Sequence, residues 1–231
     1  AFLSAPVPKT IAFREKELQH LQGDNRSISF EYAGVHFSLP IPGTFNAMNA
    51  LAAIKMSDAL GVPFTAAATA LATLPPVQGR VERIEAGQNF TVIVDYAHTP
   101  DSLRALYGAF PTQRKICVLG NTGGGRDTWK RPAMGRIADE ACEKVILTNE
   151  DPYDEDPRAI VDAMAANMQR APEIIMDRRE AIRYALQIAR SDDTVLISGK
   201  GTDPFIMGSH GTKTSWSDAL VVREELRRLL G

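Results

Sequence analysis

Polar and apolar residues alternate through Ser27–Phe30 and again through Val35–Leu39, on either side of Tyr32-Ala33-Gly34. A period of two sends every second side chain to one face, and a Gly-containing turn between two such runs predicts a β-hairpin. The period then changes. Asn46–Leu60 is Ala-rich with apolar spacing suited to a helix, and Gly61 follows as its stop. Thr65–Thr73 predicts a second short helix, and Pro75-Pro76 breaks the chain behind it. We place the domain boundary there, giving regions 1–78 and 79–231.

Beyond the boundary, short apolar runs alternate with amphipathic stretches. Strands are predicted at Thr91–Val94, Lys115–Leu119, Val145–Thr148, Glu173–Met176 and Thr194–Ser198. Helices are predicted at Ser102–Ala109, Pro132–Cys142, Pro157–Met168, Arg179–Ala189 and Ser217–Leu230. This alternation predicts an α/β domain with a mostly parallel sheet. Such sheets bind ligands at the C-terminal ends of their strands, so the polar segments that follow the strands are the candidate site.

Four segments qualify. Asp95-Tyr96-Ala97-His98 follows the first strand. A carboxylate there can accept hydrogen bonds from ribose hydroxyls and His98 can face a phosphate; alternatively Asp95 caps a turn and His98 is a surface residue. Gly120-Asn121-Thr122-Gly123-Gly124-Gly125-Arg126-Asp127 follows the second. Its glycines allow backbone amides to approach an anion, the next helix adds its positive end, and Arg126, Lys130 and Arg131 add fixed charge. The alternative is a flexible loop with solvated basic residues. Pro132 suits that helix's first turn. The third segment, Glu150-Asp151-Pro152-Tyr153-Asp154-Glu155-Asp156, holds five carboxylates in seven positions. Glu150 and Asp151, nearest the strand, read as an acidic wall for an ammonium. Asp154–Asp156 read as solvated acids at a helix start, with Asp156 the cap. Ser198-Gly199-Lys200-Gly201-Thr202-Asp203 is the fourth: either a close backbone approach to a ligand or a glycine turn with an exposed lysine.

Two earlier segments add to these. Asn46 and Asn49 are three apart at the start of the Ala-rich helix, hence on one face. Their amides could read an adenine edge, or Asn46 could simply cap. Gly79-Arg80-Val81-Glu82 lies at the domain junction, where Arg80 is either a phosphate clamp or a surface arginine.

Composition narrows the class. The 231 residues are 44% hydrophobic and 23% charged, with a formal net charge of -2. That is an ordinary globular profile without the basic footprint of a nucleic-acid or acidic-membrane binder. No apolar run approaches the ~20 residues needed to span a bilayer, and Ala1–Lys16 shows no signal-peptide pattern. The two cysteines, Cys117 and Cys142, read as buried thiols in a reducing cytoplasm.

Taken in order, G-x-F-N-x-x-N, G-R-V-E, V-D-Y-A-H-T-P-D, G-G-G-R-D-x-x-K-R-P, E-D-P-Y-x-E-D-P and G-K-G closely resemble the Mur ligases, over roughly Ser27 to Asp203. Within them, the branch that adds the third residue to UDP-N-acetylmuramoyl-L-alanyl-D-glutamate is nearest. The resemblance implies a cytoplasmic, ATP- and magnesium-dependent amide-bond ligase of cell-wall synthesis. It implies that 1–78 is the C-terminal part of a central ATP-binding domain and 79–231 a Rossmann-like amino-acid-binding domain. The implied partners are the UDP-muramoyl-dipeptide and a free diamino acid; oligomeric state is left open. By the same resemblance, Asn46 and Asn49 contact adenine, Arg80 the ATP phosphates and Asp95 the ribose. His98 lies near the nucleotide, and Lys130 joins Arg80 and His98 in the catalytic machinery. Arg126 holds the α-carboxylate of the incoming amine, and Gly199 and Asp203 its far end.

The family's G-K-T-G-T phosphate loop, carbamylated lysine and magnesium-binding glutamate have no match, so a truncated chain, inactive alone, is expected. Diaminopimelate-adding members carry D-N-P-R where this chain has Glu150-Asp151-Pro152-Tyr153, and the family's G-K-G-H-E reads Gly199-Lys200-Gly201-Thr202-Asp203 here. An acidic pocket lacking that Arg favours lysine or ornithine over diaminopimelate. Three rivals remain: a folylpolyglutamate-synthetase-like ligase, a noncatalytic amino-acid- or nucleotide-binding module, and a Rossmann oxidoreductase, the last lacking its dinucleotide fingerprint.

Overall fold

A computed structural model describes residues 10–125 and 127–231; Arg126 and the first nine residues lie outside the described residues. The chain divides into two compact units, Ala1–Pro76 and Val77–Gly231.

The first unit is a three-stranded antiparallel sheet backed by two helices. Strands β1 (Gln19–Gly23), β2 (Ile28–Tyr32) and β3 (Val35–Leu39) lie in that order. Tyr32 pairs with Val35, so Ala33 and Gly34 form the turn, with φ of 50° and 74°. A two-residue hairpin loop needs two such left-handed residues to match strand twist. Alternation buries Ile28, Phe30, Phe37 and Leu39 on one face, where the two Phe rings stack 5.4 Å apart. Helices α1 (Phe45–Ala59) and α2 (Phe64–Ala72) cover that face with Ala47, Ala50, Ile54 and Ala67. Each fully buried Phe contributes roughly 2–3 kcal/mol. Strand β1 is mostly exposed and lacks an apolar face, which is why its sequence carries no strand signal.

In the second unit, six strands lie in the order β4-β5-β9-β6-β7-β8. They are β4 (Glu82–Arg83), β5 (Thr91–Asp95), β6 (Lys115–Leu119), β7 (Lys144–Leu147), β8 (Glu173–Ile174) and β9 (Thr194–Ser198). All neighbours pair in parallel except the edge strand β4. The connecting helices are α3 (Pro100–Gly108), α4 (Lys130–Ala141), α5 (Pro157–Ala165) and α6 (Arg178–Ile188), and α7 (Asp218–Leu230) closes the unit. A hairpin, β10 (Phe205–Met207) and β11 (Lys213–Ser215), follows β9. The inner strands are apolar almost throughout, as a sheet covered on both faces requires. The chain runs outward through β6, β7 and β8, then returns with β9 between β5 and β6. Reversals of this kind place the loops after the central strands around a common crevice.

Caps fix the helix starts. Thr99 accepts from the Ser102 amide at 3.2 Å, Asp156 from Arg158 at 2.9 Å and Ser217 from Leu220 at 3.2 Å. Two sequence expectations need correction. Helix α4 begins at Lys130 rather than Pro132, which therefore occupies its third position; that N–H has no intrahelical acceptor in any case. The cysteines are joined, not free: Cys117 in β6 and Cys142 just after α4 form a disulfide. Strand β6 and the end of α4 bring their Cα atoms to 6.2 Å, inside the bridging range of about 4.4–6.8 Å. No described helix is long and apolar enough to cross a membrane.

Candidate functional site

The site grows from four strand ends. Asp95 is the last residue of β5 and is buried. Its Oδ2 accepts from the Val81 amide at 2.7 Å and its Oδ1 from the Ala97 amide at 2.8 Å. Burial raises its pKa, against the pull of those amides. Asp95 thus caps the Gly79-Arg80-Val81 turn, in which Val81 takes a φ of 48°. On the other side the turn abuts the loop after β9: a Cβ on Gly79 would lie 2.4 Å from the Gly201 carbonyl carbon. Only glycine permits that approach. The turn holds the Arg80 guanidinium 4.5 Å over the Tyr96 ring, and Tyr96 meets His98 edge-on at 4.7 Å. His98 Nδ1 lies 2.9 Å from the Tyr96 carbonyl oxygen, a contact that orients the ring. Burial, and then the Asp203 carboxylate that the phenol faces, raise the Tyr96 pKa.

After β6 the glycines serve packing first. Cβ atoms on Gly120 and Gly123 would lie 2.7 Å from the Thr148 oxygen and 2.1 Å from the Pro152 oxygen. The Gly123 amide donates to the Asp151 carbonyl at 2.7 Å, and the Gly125 amide to Glu155. Arg131 is buried and pairs with Glu155 at 2.9 Å. Hence two loop amides and the Arg131 cation of α4 are committed within the protein. Lys130, at the start of α4, is 8% exposed; its amide donates to the Asp127 oxygen at 3.0 Å, and its side chain makes no hydrogen bond or ion pair among the described residues. Arg126 lies outside them. Tyr153, with a φ of 52°, sets its ring beside Gly124 and donates its amide to the Met207 oxygen at 3.1 Å.

Glu150, Asp151, Gly199, Lys200 and Asp203 come together between the β7 and β9 loops. Glu150 is fully enclosed: Oε1 accepts from Thr122 Oγ1 at 2.9 Å, while Oε2 has no hydrogen-bond partner. Oε2 faces Gly199, where a Cβ would lie 2.1 Å away and φ is 111°. Desolvation raises the Glu150 pKa. Asp151 takes Lys200 Nζ on both oxygens at 2.8 Å and the Met207 amide at 2.8 Å. This corrects the picture of Lys200 as exposed: its side chain is 1% exposed. Much of the acidic wall expected at Glu150 and Asp151 is therefore answered from inside.

Arg178 and Asp218 lie beneath this cluster. Arg178 bonds Asp218 through Nε and Nη2 at 2.8 and 2.6 Å, and also donates to the Ser198 oxygen at 2.9 Å and the Asn149 oxygen at 3.4 Å. It ties the ends of β9 and β7 to the starts of α6 and α7. Tyr96, Lys200, Arg178 and Asp218 all escaped the sequence reading. Tyr96 and Lys200 stood inside recognised motifs, whereas nothing local distinguishes Arg178 from any helix-start arginine.

In the first unit, Asn46 Nδ2 donates to the Pro42 oxygen at 2.9 Å and its Oδ1 accepts from Asn49 Nδ2 at 3.1 Å. Thr44, not Asn46, is the N-cap. Asn49 is exposed and keeps Oδ1 open, an acceptor suited to an exocyclic amine. Arg80, cationic and without an ion pair among the described residues, suits a phosphate. Asp95 suits ribose less well, because both oxygens already serve amides. Among the described residues no group of three metal-ligating side chains occurs.

The profile described as Mur ligase, glutamate ligase domain, matches residues 79–201. The UDP-N-acetylmuramoyl-L-alanyl-D-glutamate--2,6-diaminopimelate ligase of Caldanaerobacter subterraneus subsp. tengcongensis is 40% identical over 197 residues, 82% of this chain and 40% of that protein. The UDP-N-acetylmuramyl-tripeptide synthetase of a Roseiflexus species is 41% identical over 201 residues, 83% of this chain and 39% of that protein. A solved UDP-N-acetylmuramoyl-L-alanyl-D-glutamate--2,6-diaminopimelate ligase superposes with a TM-score of 0.65 at 28% identity, covering 93% of this chain and 45% of that one. A folylpolyglutamate synthase from Thermotoga maritima, with a TM-score of 0.58 at 23% identity over 77% of this chain and 42% of its own, shares the fold. The chain spans about two fifths of the length of these curated relatives. With the matched profile covering more than half of its residues, the chain belongs to the Mur ligase family.

Proposed function

We propose that this chain supplies the amine-binding part, and some of the nucleotide contacts, of an ATP-dependent ligase. The ligase would join the third amino acid to UDP-N-acetylmuramoyl-L-alanyl-D-glutamate. The carrying observation is the convergence of Glu150, Asp151, Gly199, Lys200 and Asp203 from two strand-end loops, in a chain of this family. ATP with magnesium supplies the phosphoryl group that makes the D-glutamyl γ-carboxylate an acyl phosphate. The amine nitrogen then bonds to the acyl carbon, the C–O bond to phosphate breaks, and the amine proton passes to solvent.

Positioning and charge neutralisation are the protein's contribution, and no side-chain nucleophile is needed. Arg80, fixed by its turn over Tyr96, is proposed to neutralise phosphate charge with Lys130, and His98 to present Nε2 nearby. Asp95 chiefly holds the turn that carries Arg80, with its remaining lone pairs toward ribose. Asn46 and Asn49 are proposed to read adenine, and Arg126 to hold the amine's α-carboxylate. Gly199 lets the backbone approach the amine's far end, and Asp203 faces it.

Tyr153 occupies the place of the arginine that would grip a distal carboxylate, so lysine or ornithine is the proposed amine in preference to diaminopimelate. The test gives the natural full-length protein ATP, magnesium, the UDP-dipeptide and a panel of amines, and follows phosphate release. Lysine or ornithine should stimulate it most. If no amine stimulates release, the ligase reading fails; if only diaminopimelate does, the preference alone fails. Tyr153→Arg should move selectivity toward diaminopimelate, and unchanged selectivity contradicts the pocket assignment. The 231 residues alone should release no phosphate, since no phosphate-binding loop stands in their sequence.

A further inference from the structure

The ammonium of Lys200 lies 2.8 Å from each Asp151 oxygen and 3.7 Å from Asp203 Oδ2, with its side chain 1% exposed. A lysine buried so completely needs a counter-charge, and Asp151 provides it. Of the two carboxylates that form ion pairs with Lys200, Asp151 is 9% exposed at its side chain and Asp203 is 42% exposed. The three groups together carry one excess negative charge. It is presented by Asp203, the accessible carboxylate, which also faces the Tyr96 phenol.

We propose that Lys200 is a specificity-determining residue of the ligase reaction: by occupying Asp151 it sets the charge met by the far end of the incoming amine at a single negative. This inference rests on the proposed ligase function. One excess negative charge accommodates a second cationic group on the amine and repels a distal carboxylate. Replacing Asp151 by the near-isosteric Asn leaves Lys200 facing Asp203 alone. The cluster then becomes neutral and a distal carboxylate is no longer repelled.

The experiment uses the natural full-length protein with saturating ATP and UDP-dipeptide, and measures kcat/KM for lysine and for diaminopimelate. Asp151→Asn should lower the lysine-to-diaminopimelate ratio by about tenfold, mainly through KM, the effect of roughly 1.4 kcal/mol. The double variant Asp151→Asn with Lys200→Gln restores the single negative charge and should restore the original ratio. A purely structural role predicts that the double variant is at least as impaired as the single one and that the ratio stays fixed. An unchanged ratio in folded Asp151→Asn, or a ratio in the double variant far from wild type, overturns the inference. Should Asp151→Asn fail to fold, Lys200→Gln decides: it leaves Asp151 and Asp203 as two negative charges, so the lysine-to-diaminopimelate ratio should rise, and an unchanged ratio overturns the inference. If the unmodified protein uses neither amine, it is the ligase reading that has failed.

Discussion

Glu150 shows at the scale of one residue what burial does to a charge. Enclosure raises its pKa above the ordinary 4.5, because no partner meets Oε2. A raised folded-state pKa stabilises the fold below the unfolded value, and that contribution is lost as pH rises through the folded value. Wild type should therefore lose stability relative to Glu150→Gln as pH climbs from about 4.5 toward neutrality. Urea denaturation of both proteins across that range checks this; parallel curves would show that Glu150 keeps an ordinary pKa. The sequence made Glu150 a candidate because it follows a strand. It could not show that the carboxylate is enclosed, or that Asp151 is matched by Lys200, 49 positions away. Pairings at such separation depend on which strands become neighbours, information that residue type and local spacing do not hold.

Elements were more legible than residues. Alternating apolar runs and amphipathic stretches marked every inner strand and every helix of the second unit to within a few positions, since burial on both faces writes a continuous apolar run into the sequence. The elements without such a run escaped notice: β1 and the β10–β11 hairpin are short and largely exposed, and β4 is a two-residue edge strand, all held by edge pairing. Two links between elements carry testable weight. Arg178 and Asp218 form a buried pair joining α6, α7, β7 and β9, so Arg178→Met alone should cost about 3–5 kcal/mol, with much of it recovered in Arg178→Met with Asp218→Leu. Urea denaturation of the double-mutant cycle measures this, and equal losses in single and double variants would contradict it. The Cys117–Cys142 disulfide closes a loop of sequence separation 25. Reduction should therefore remove about 3 kcal/mol of stability. Denaturation with and without dithiothreitol, alongside thiol alkylation and intact mass, shows whether the bond is present and what it contributes.

The arrangement of the whole molecule explains why the polar motifs recur after strands. Sheet order β5-β9-β6-β7 gathers four loops at one edge, and glycines at 79, 120, 123 and 199 let those loops touch where any side chain would collide. Gly120 and Gly123 were expected to let backbone amides approach an anion; in the structure they serve packing. The account's central claim is acyl activation by ATP followed by amine attack. Its most direct measurement follows oxygen. The natural full-length protein is given UDP-dipeptide carrying ¹⁸O in the D-glutamyl γ-carboxylate, with ATP, magnesium and lysine, and the released phosphate is analysed by mass spectrometry. Activation through an acyl phosphate predicts one ¹⁸O atom in the phosphate for each amide bond formed. Amide formation with unlabelled phosphate, or phosphate release without amide, would contradict the account.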